Sequence, residues 1–271
     1  MDISFNDLKF IQQIGQTLNM EERIKLKLAI LKIQEHYTFD EVLFWGRVEG
    51  VEKDYYIAMG IQYKGQYEFP LKKFYWSSNN YHFAELPKYN EEYASRADNL
   101  REPFTGQHEH IVFKTEEEIN FEDSLDIPAQ LPAKHFSELE RLSYVVQQVE
   151  FNCASIPVGS YRLTPTHELI RKAFKGVKAE LKNYQHFRVP TRKDKQDLIA
   201  RDEALYREDF LDSLVDDTPN QQWSLQADST QRNITLRNLI WPGYVTYNND
   251  YTFGYAYFGD GIKNSDFEFL L

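Results

Sequence analysis

Late in the chain the sequence runs WPGYVTYNNDYTFGYAYFGDG, from Trp241 to Gly261. Within it Phe253, Tyr255 and Tyr257 alternate with Thr252, Gly254 and Ala256. A period of two is that of a β-strand, so one strand face is all ring and the other is small. The run holds Trp241, Tyr244, Tyr247, Tyr251, Phe253, Tyr255, Tyr257 and Phe258. Fully covered, these rings would remove on the order of 1,600 Å² from water. Left exposed, they would be an aggregation hazard. The chain must therefore fold so as to cover this hairpin. Two covers are open for Trp241, Tyr244, Tyr247, Phe253, Tyr255 and Tyr257. One is the protein's own core. The other is a partner protein, since tyrosine joins an apolar body to a polar tip and small residues opposite admit a neighbouring backbone.

The same texture recurs earlier. EVLFWGRVEG and DYYIAMGIQY, rich in β-branched and aromatic residues, flank a short polar loop, and KKFYWSSNNYHFAEL turns at Ser77–Asn80. An antiparallel meander over 41–86 follows. QWSLQ and ITLRNLIW predict a strand pair turning at Asp228–Gln231, ahead of the closing hairpin. Helices are expected elsewhere. A short one runs from about Asn6 to Ile14, carrying Leu8, Ile11 and Ile14. Asn19-Met-Glu-Glu22 is a capping box opening a second, in which Ile24, Leu28 and Leu31 recur at helical spacing and Leu26, Ile30 and Ile33 widen the stripe. Ser137-Glu-Leu-Glu140 opens a third, Thr164-Pro165 caps HELIRKAF, and a further helix covers Lys195–Leu214. Residues 87–134 read as an irregular loop region. The fold class expected is α+β, mainly antiparallel sheet with N-terminal helices and several helices in the second half. Residues 1–271 form one domain divisible into two lobes, 1–86 and 135–271.

Chemistry is harder to find. His108-Glu-His110 would place two imidazoles on one strand face, with Glu116–Glu118 supplying a third metal ligand, but two histidines in a polar loop are common. Cys153 with His167 or His135 could pair as nucleophile and base, yet FNCASIP offers no electropositive niche, and a buried thiol is expected. Gly259-Asp-Gly261 follows a strand with no helix after it, which makes it a turn and not a phosphate loop. No catalytic, cofactor or metal site is predicted.

Charge excludes several partners. A formal net charge of −11 over 271 residues disfavours nucleic acid and acidic membrane surfaces, which bind through Lys and Arg. LKLAILKI, the longest strongly apolar patch, is broken by Lys27 and Lys32, so no bilayer span is expected. A single cysteine and an N-terminus without a signal-peptide pattern fit a cytosolic chain. Between Arg171 and Lys195 nine Lys or Arg stand against Glu180 and Asp194. Between Asp197 and Asp217 eight acids stand against Arg201 and Arg207. These are either solvated faces that neutralise each other or a polarised surface that orients a partner.

The aromatic run also carries a resemblance. LRNLIWPGYVTY and FGYAYFGDGIKNSDFEFLL resemble the ending of the radial spoke head protein 9 family. EVLFWGRVEG with DYYIAMG, HFRVP at 186–190 and DFLDSLVDDTPNQQWSLQ at 209–226 extend it in order along the chain, while 87–134 and Asn248–Asp250 match poorly. The resemblance implies a non-catalytic structural subunit of the radial spoke head in the axoneme of motile cilia and flagella. There it would help assemble the head and transmit central-pair signals that regulate dynein. Its implied partners are larger paralogous head subunits, a MORN-repeat head subunit and, indirectly or transiently, the central-pair apparatus. A different reading is a small-molecule or glycan-binding β domain using Trp241, Tyr244 and the nearby acids Asp250 or Asp260.

Overall fold

The structure, a computed structural model, describes residues 18–63, 69–78, 80–89, 91, 97–114, 135–164, 169–171, 174–200 and 207–267. Its centre is an eight-stranded sheet built from both ends of the chain. The first half supplies β1 (Glu41–Val48), β2 (Tyr55–Gln62), β3 (Leu71–Ser77) and β4 (Ala84–Glu85) as the expected meander. Short pairs follow, with β5 (Ile111–Lys114) on β6 (His135–Ser137) and β8 (Tyr161–Leu163) on β9 (Leu169–Arg171). Similarly, β7 (Ser155–Pro157) pairs with β10 (Tyr184–His186). The second half adds β11 (Trp223–Ala227), β12 (Ile234–Asn238), β13 (Tyr244–Asn248) and β14 (Phe253–Gly259). Strand order is β11-β12-β13-β14-β1-β2-β3-β4.

The seam between the halves is parallel, with Gly46 opposite Tyr257, Arg47 opposite Phe258 and Val48 opposite Gly259. The sheet is therefore mixed. Glycine at 46 is dictated by this seam, because a Cβ there would lie 2.3 Å from the Tyr257 carbonyl oxygen. The β1–β2 register also slips between Phe44 and Gly46, a bulge that leaves Trp45 without a partner on β2, while Phe44 and Trp45 face opposite sides of the sheet.

Two helices cover the sheet's two faces. On one side α1 (Met20–His36) lays Leu26, Ile30 and Ile33 against Phe44, Tyr56, Ala58, Tyr75, Val245, Tyr247, Ala256 and Phe258. On the other, α2 (Glu138–Cys153) packs Leu142, Val145, Val146 and Val149 against the face bearing Trp45, Ile57, Met59, Tyr244, Tyr255 and Tyr257. With both faces covered, β14 is buried at every position, ring side and small side alike.

The fold is thus mostly β, and the expectation of several helices in the second half is overturned. Among the described residues the α-helices are α1, α2 and a short α3 (Lys193–Ala200), with single 3-10 turns at Leu181–Asn183 and Leu214–Asp216. HELIRKAF was expected to be helical, but Leu169–Arg171 forms a strand paired with Tyr161–Leu163. Of the helix expected over Lys195–Leu214, Lys193–Ala200 is helical and 201–206 lie outside the described residues. Beyond 206 the chain is extended, with Arg207 bridged to Leu163 and Phe210 and Leu211 buried. Asn6–Ile14 lies outside the described residues. The region 87–134 is more structured than expected, since it contains β5 and a fully buried Phe104 bridged at Gly50.

Candidate functional site

All six rings singled out above lie inside the chain's own core. Trp241, Tyr244, Tyr247, Phe253, Tyr255 and Tyr257 are each no more than 3% exposed. Five of them share the α2 side, whereas Tyr247 points beneath α1. None presents a free aromatic platform to solvent.

Their polar tips are also spent. Tyr255 donates its hydroxyl to Oε1 of Glu150, in α2, at 2.6 Å. The other Glu150 oxygen accepts from Trp45 Nε1 at 2.8 Å. Lys72 Nζ stands 2.5 Å from Oε1 and 2.6 Å from the Phe187 carbonyl. One buried carboxylate thus ties α2 to β1, β3 and β14. Burial, then the Glu150 charge, pushes the Tyr255 phenol well above its usual range. Burial also pulls the Lys72 ammonium down, against the opposing pull of Glu150.

A second carboxylate fastens the helix's other end. Glu138, in the first turn of α2 and 1% exposed, accepts from Tyr55 Oη at 2.6 Å. It also accepts from the Thr105 amide (2.9 Å) and hydroxyl (2.7 Å) and from the Gly106 amide (2.8 Å). A negative charge there also suits the positive end of the helix dipole. These are acids at work as fasteners, with their lone pairs filled by donors fixed in the fold.

The other chemical candidates disperse. His108 and His110 sit in an exposed turn before β5 and do not alternate on a strand face, and Glu116–Glu118 lie outside the described residues. Among the described residues no group of three His, Cys, Asp or Glu is placed to hold a metal ion. Cys153 is fully buried, and burial raises its thiol well above the usual range, so it is not poised as a thiolate. His135 is exposed on β6, and His167 lies outside the described residues.

The acids proposed for glycan binding sit on opposite ends of β14. Asp250 precedes the strand and pairs with Arg232 at 3.5 Å, while Asp260 follows it and caps the Ile262 amide at 3.0 Å. At about 3.3 Å per residue the seven-residue strand between them spans about 20 Å, well beyond the separation of about 5–10 Å that paired carboxylate chemistry needs. A polar cavity of about 510 Å³ does border Trp241, with Asp216 and Asp217 in its wall. Both carboxylates are engaged. Asp217 accepts from His186 Nε2 (2.8 Å) and Trp223 Nε1 (2.7 Å), and Asp216 pairs with Arg192.

The oppositely charged stretches meet each other. Arg188 faces Asp212 at 3.9 Å, Arg192 pairs with Asp216, and Lys195 reaches the Asp209 carbonyl. Much of the polarity along the sequence is therefore neutralised within the fold.

Single apolar side chains are exposed at several places, and α1 carries four in one row. Met20, Ile24, Leu28 and Leu31 are 72%, 56%, 57% and 47% exposed. At 3.6 residues per turn they form one stripe roughly opposite the buried Leu26, Ala29, Ile30 and Ile33. The sequence pattern merged these residues into one broad stripe, whereas the helix carries two, one inward and one outward.

Relatives place this architecture. A family model described as Radial spokehead-like protein matches residues 4–150. The chain is 31% identical to a radial spoke head protein 9 homolog of Bos taurus and to one of Homo sapiens. Each alignment covers 95% of this chain and 94% of the relative. A Danio rerio homolog is 30% identical over the same shares. The chain belongs to the radial spoke head protein 9 family.

Membership gives it a structural role in the radial spoke of the ciliary and flagellar axoneme. Within this family member, sequence reasoning missed Glu138 and Glu150 as the anchors of α2. Glu138 lies within the recognised capping box and Glu150 sits three turns on, but neither position signals that its side chain is buried. The outward stripe of α1 was visible as Ile24, Leu28 and Leu31, though merged with Leu26, Ile30 and Ile33 into a single stripe.

Proposed function

We propose that this chain is a non-catalytic assembly subunit of the radial spoke head. It packs beside the larger paralogous head subunits and a MORN-repeat subunit, and it passes central-pair contacts on towards dynein regulation. The observation that carries this reading is the outward apolar stripe of α1, which a solitary protein has no reason to keep. Supporting it, the buried acids and the thiol that could have served chemistry are occupied or neutral. A stiff double-covered sheet suits a part that transmits force by holding its shape.

The test is native isolation of the tagged full-length chain from axonemes, with co-purifying proteins identified by mass spectrometry. Recovery in stoichiometric complex with other spoke head subunits is expected. Recovery as a free protein from axonemes whose spoke heads remain intact would overturn the reading.

A further inference from the structure

The outward face of α1 has features that define what should bind it, and the inference drawn from them rests on the assembly reading above. We infer that this face docks an amphipathic helix of another spoke head subunit, whose apolar stripe is edged by carboxylates.

The shape selects a helix. Met20, Ile24 and Leu28 stand four residues apart and form a single ridge, with Leu31 beside it. From Met20 to Leu31 the ridge runs about 16 Å, the length of three helical turns. Because the helix satisfies its backbone groups internally, this surface offers no row of amides for a β-strand to join. What it offers is side-chain relief, into which the ridges of a second helix fit.

The charges select its flanks. Lys27 borders the stripe on one side and Lys32 on the other, both exposed and with no ion-pair partner among the described residues. Lys25, by contrast, is already held by Glu21 at 2.5 Å. In a chain of net charge −11, two unpaired cations beside the exposed apolar ridge call for carboxylates on the incoming helix. Glu35, exposed in the last turn, calls for a cation at that end. A second copy of this chain fits poorly. Parallel pairing sets each lysine against its own counterpart. In antiparallel pairing the nearest carboxylate to Lys32 is Glu21, which Lys25 already occupies.

The test mixes the full chain with a purified larger head subunit and measures affinity, followed by zero-length carbodiimide coupling, which joins lysines to carboxylates in contact. The double substitution Ile24→Lys/Leu28→Lys is expected to weaken binding by about 100-fold, as loss of central interface anchors does. It should leave the melting temperature of the isolated chain unchanged. Lys27→Glu/Lys32→Glu is expected to weaken binding by about 10-fold and to reduce its salt dependence. Coupling should link Lys27 and Lys32 to acids on one helix of the partner. Unchanged affinity of the Ile24→Lys/Leu28→Lys variant would overturn the inference while leaving the assembly reading standing. So would coupling to a second copy or to residues 1–17, or a lowered melting temperature of that variant, since each shows another occupant. Absence of binding by the unaltered chain would overturn both.

Discussion

The two long helices begin alike and end up with different duties. Asn19 caps α1 and Ser137 caps α2, and in each a glutamate three residues on completes the box. Each lies on one face of the same sheet. Yet α2 sinks two carboxylates into the fold and buries ten of its sixteen residues, while α1 buries four of seventeen. The polar contact of α1 with the sheet is peripheral, with Glu22 accepting from Tyr56 Oη at 2.8 Å and lying 4.0 Å from Arg47. The contrast teaches that a helix fixed by buried acids is committed to the interior. One fixed only by its apolar side can spare its opposite side for something else.

High pH should produce the largest effect, because the fold holds many phenols in protonated form. Tyr63, Tyr75 and Tyr184 are pushed up to about 12, chiefly by burial. Tyr55, Tyr244, Tyr255 and Tyr257 on the α2 side are raised as well. Free tyrosine ionises near pH 10, so the stabilisation is complete below that value. It is lost as pH climbs from about 10 towards 12, when the unfolded chain sheds protons that the folded one keeps. Tyrosinate absorbance should therefore rise together with loss of near-ultraviolet circular dichroism. Ionisation of the full set of tyrosines well below the unfolding transition would break this picture.

Next comes Glu150→Ala, which strands Lys72 together with the Trp45 and Tyr255 donors. Removing one member of a buried ion pair costs about 3–5 kcal/mol, read from urea midpoints. Glu138→Ala should cost about 3 kcal/mol by leaving the Tyr55 hydroxyl and the Thr105 and Gly106 donors without their acceptor. The caps should differ by less. Ser137→Ala is expected to lose about 1 kcal/mol, and Asn19→Ala, at a more exposed helix start, somewhat less. Smallest of all, Leu28→Ser should alter the stability of the isolated chain by no more than about 0.5 kcal/mol. An effect of 2 kcal/mol or more there would erase the distinction between the helices, since it would make Leu28 a core residue.

How much of this was legible depended on how local the cause was. Both capping boxes were readable because each is complete within four residues. The meander over 41–86 and the Trp223–Asn238 pair were readable because alternation and turn residues sit side by side. Leu169–Arg171 was misread because a proline-initiated, charged stretch favours a helix locally, and only pairing with Tyr161–Leu163 makes it a strand. The burial of Glu150 has no local sign at all, because its three donors come from residues 45, 72 and 255. The aromatic hairpin showed that its rings needed cover. What provides that cover, α2 on the ring side and α1 on the small side, came from distant parts of the chain.

The parallel seam between β1 and β14 has a consequence for biosynthesis. Its partners, Gly46 and Tyr257, are separated by over 200 positions, so an emerging polypeptide displays a half-built platform until β14 has been translated. Through that interval the first four strands carry an open, ring-rich border that cannot be matched locally, the circumstance in which nascent chains clump. Cells making this component should lean on chaperones at the ribosome. A premature stop just before β14 should leave insoluble material and no shortened but working part.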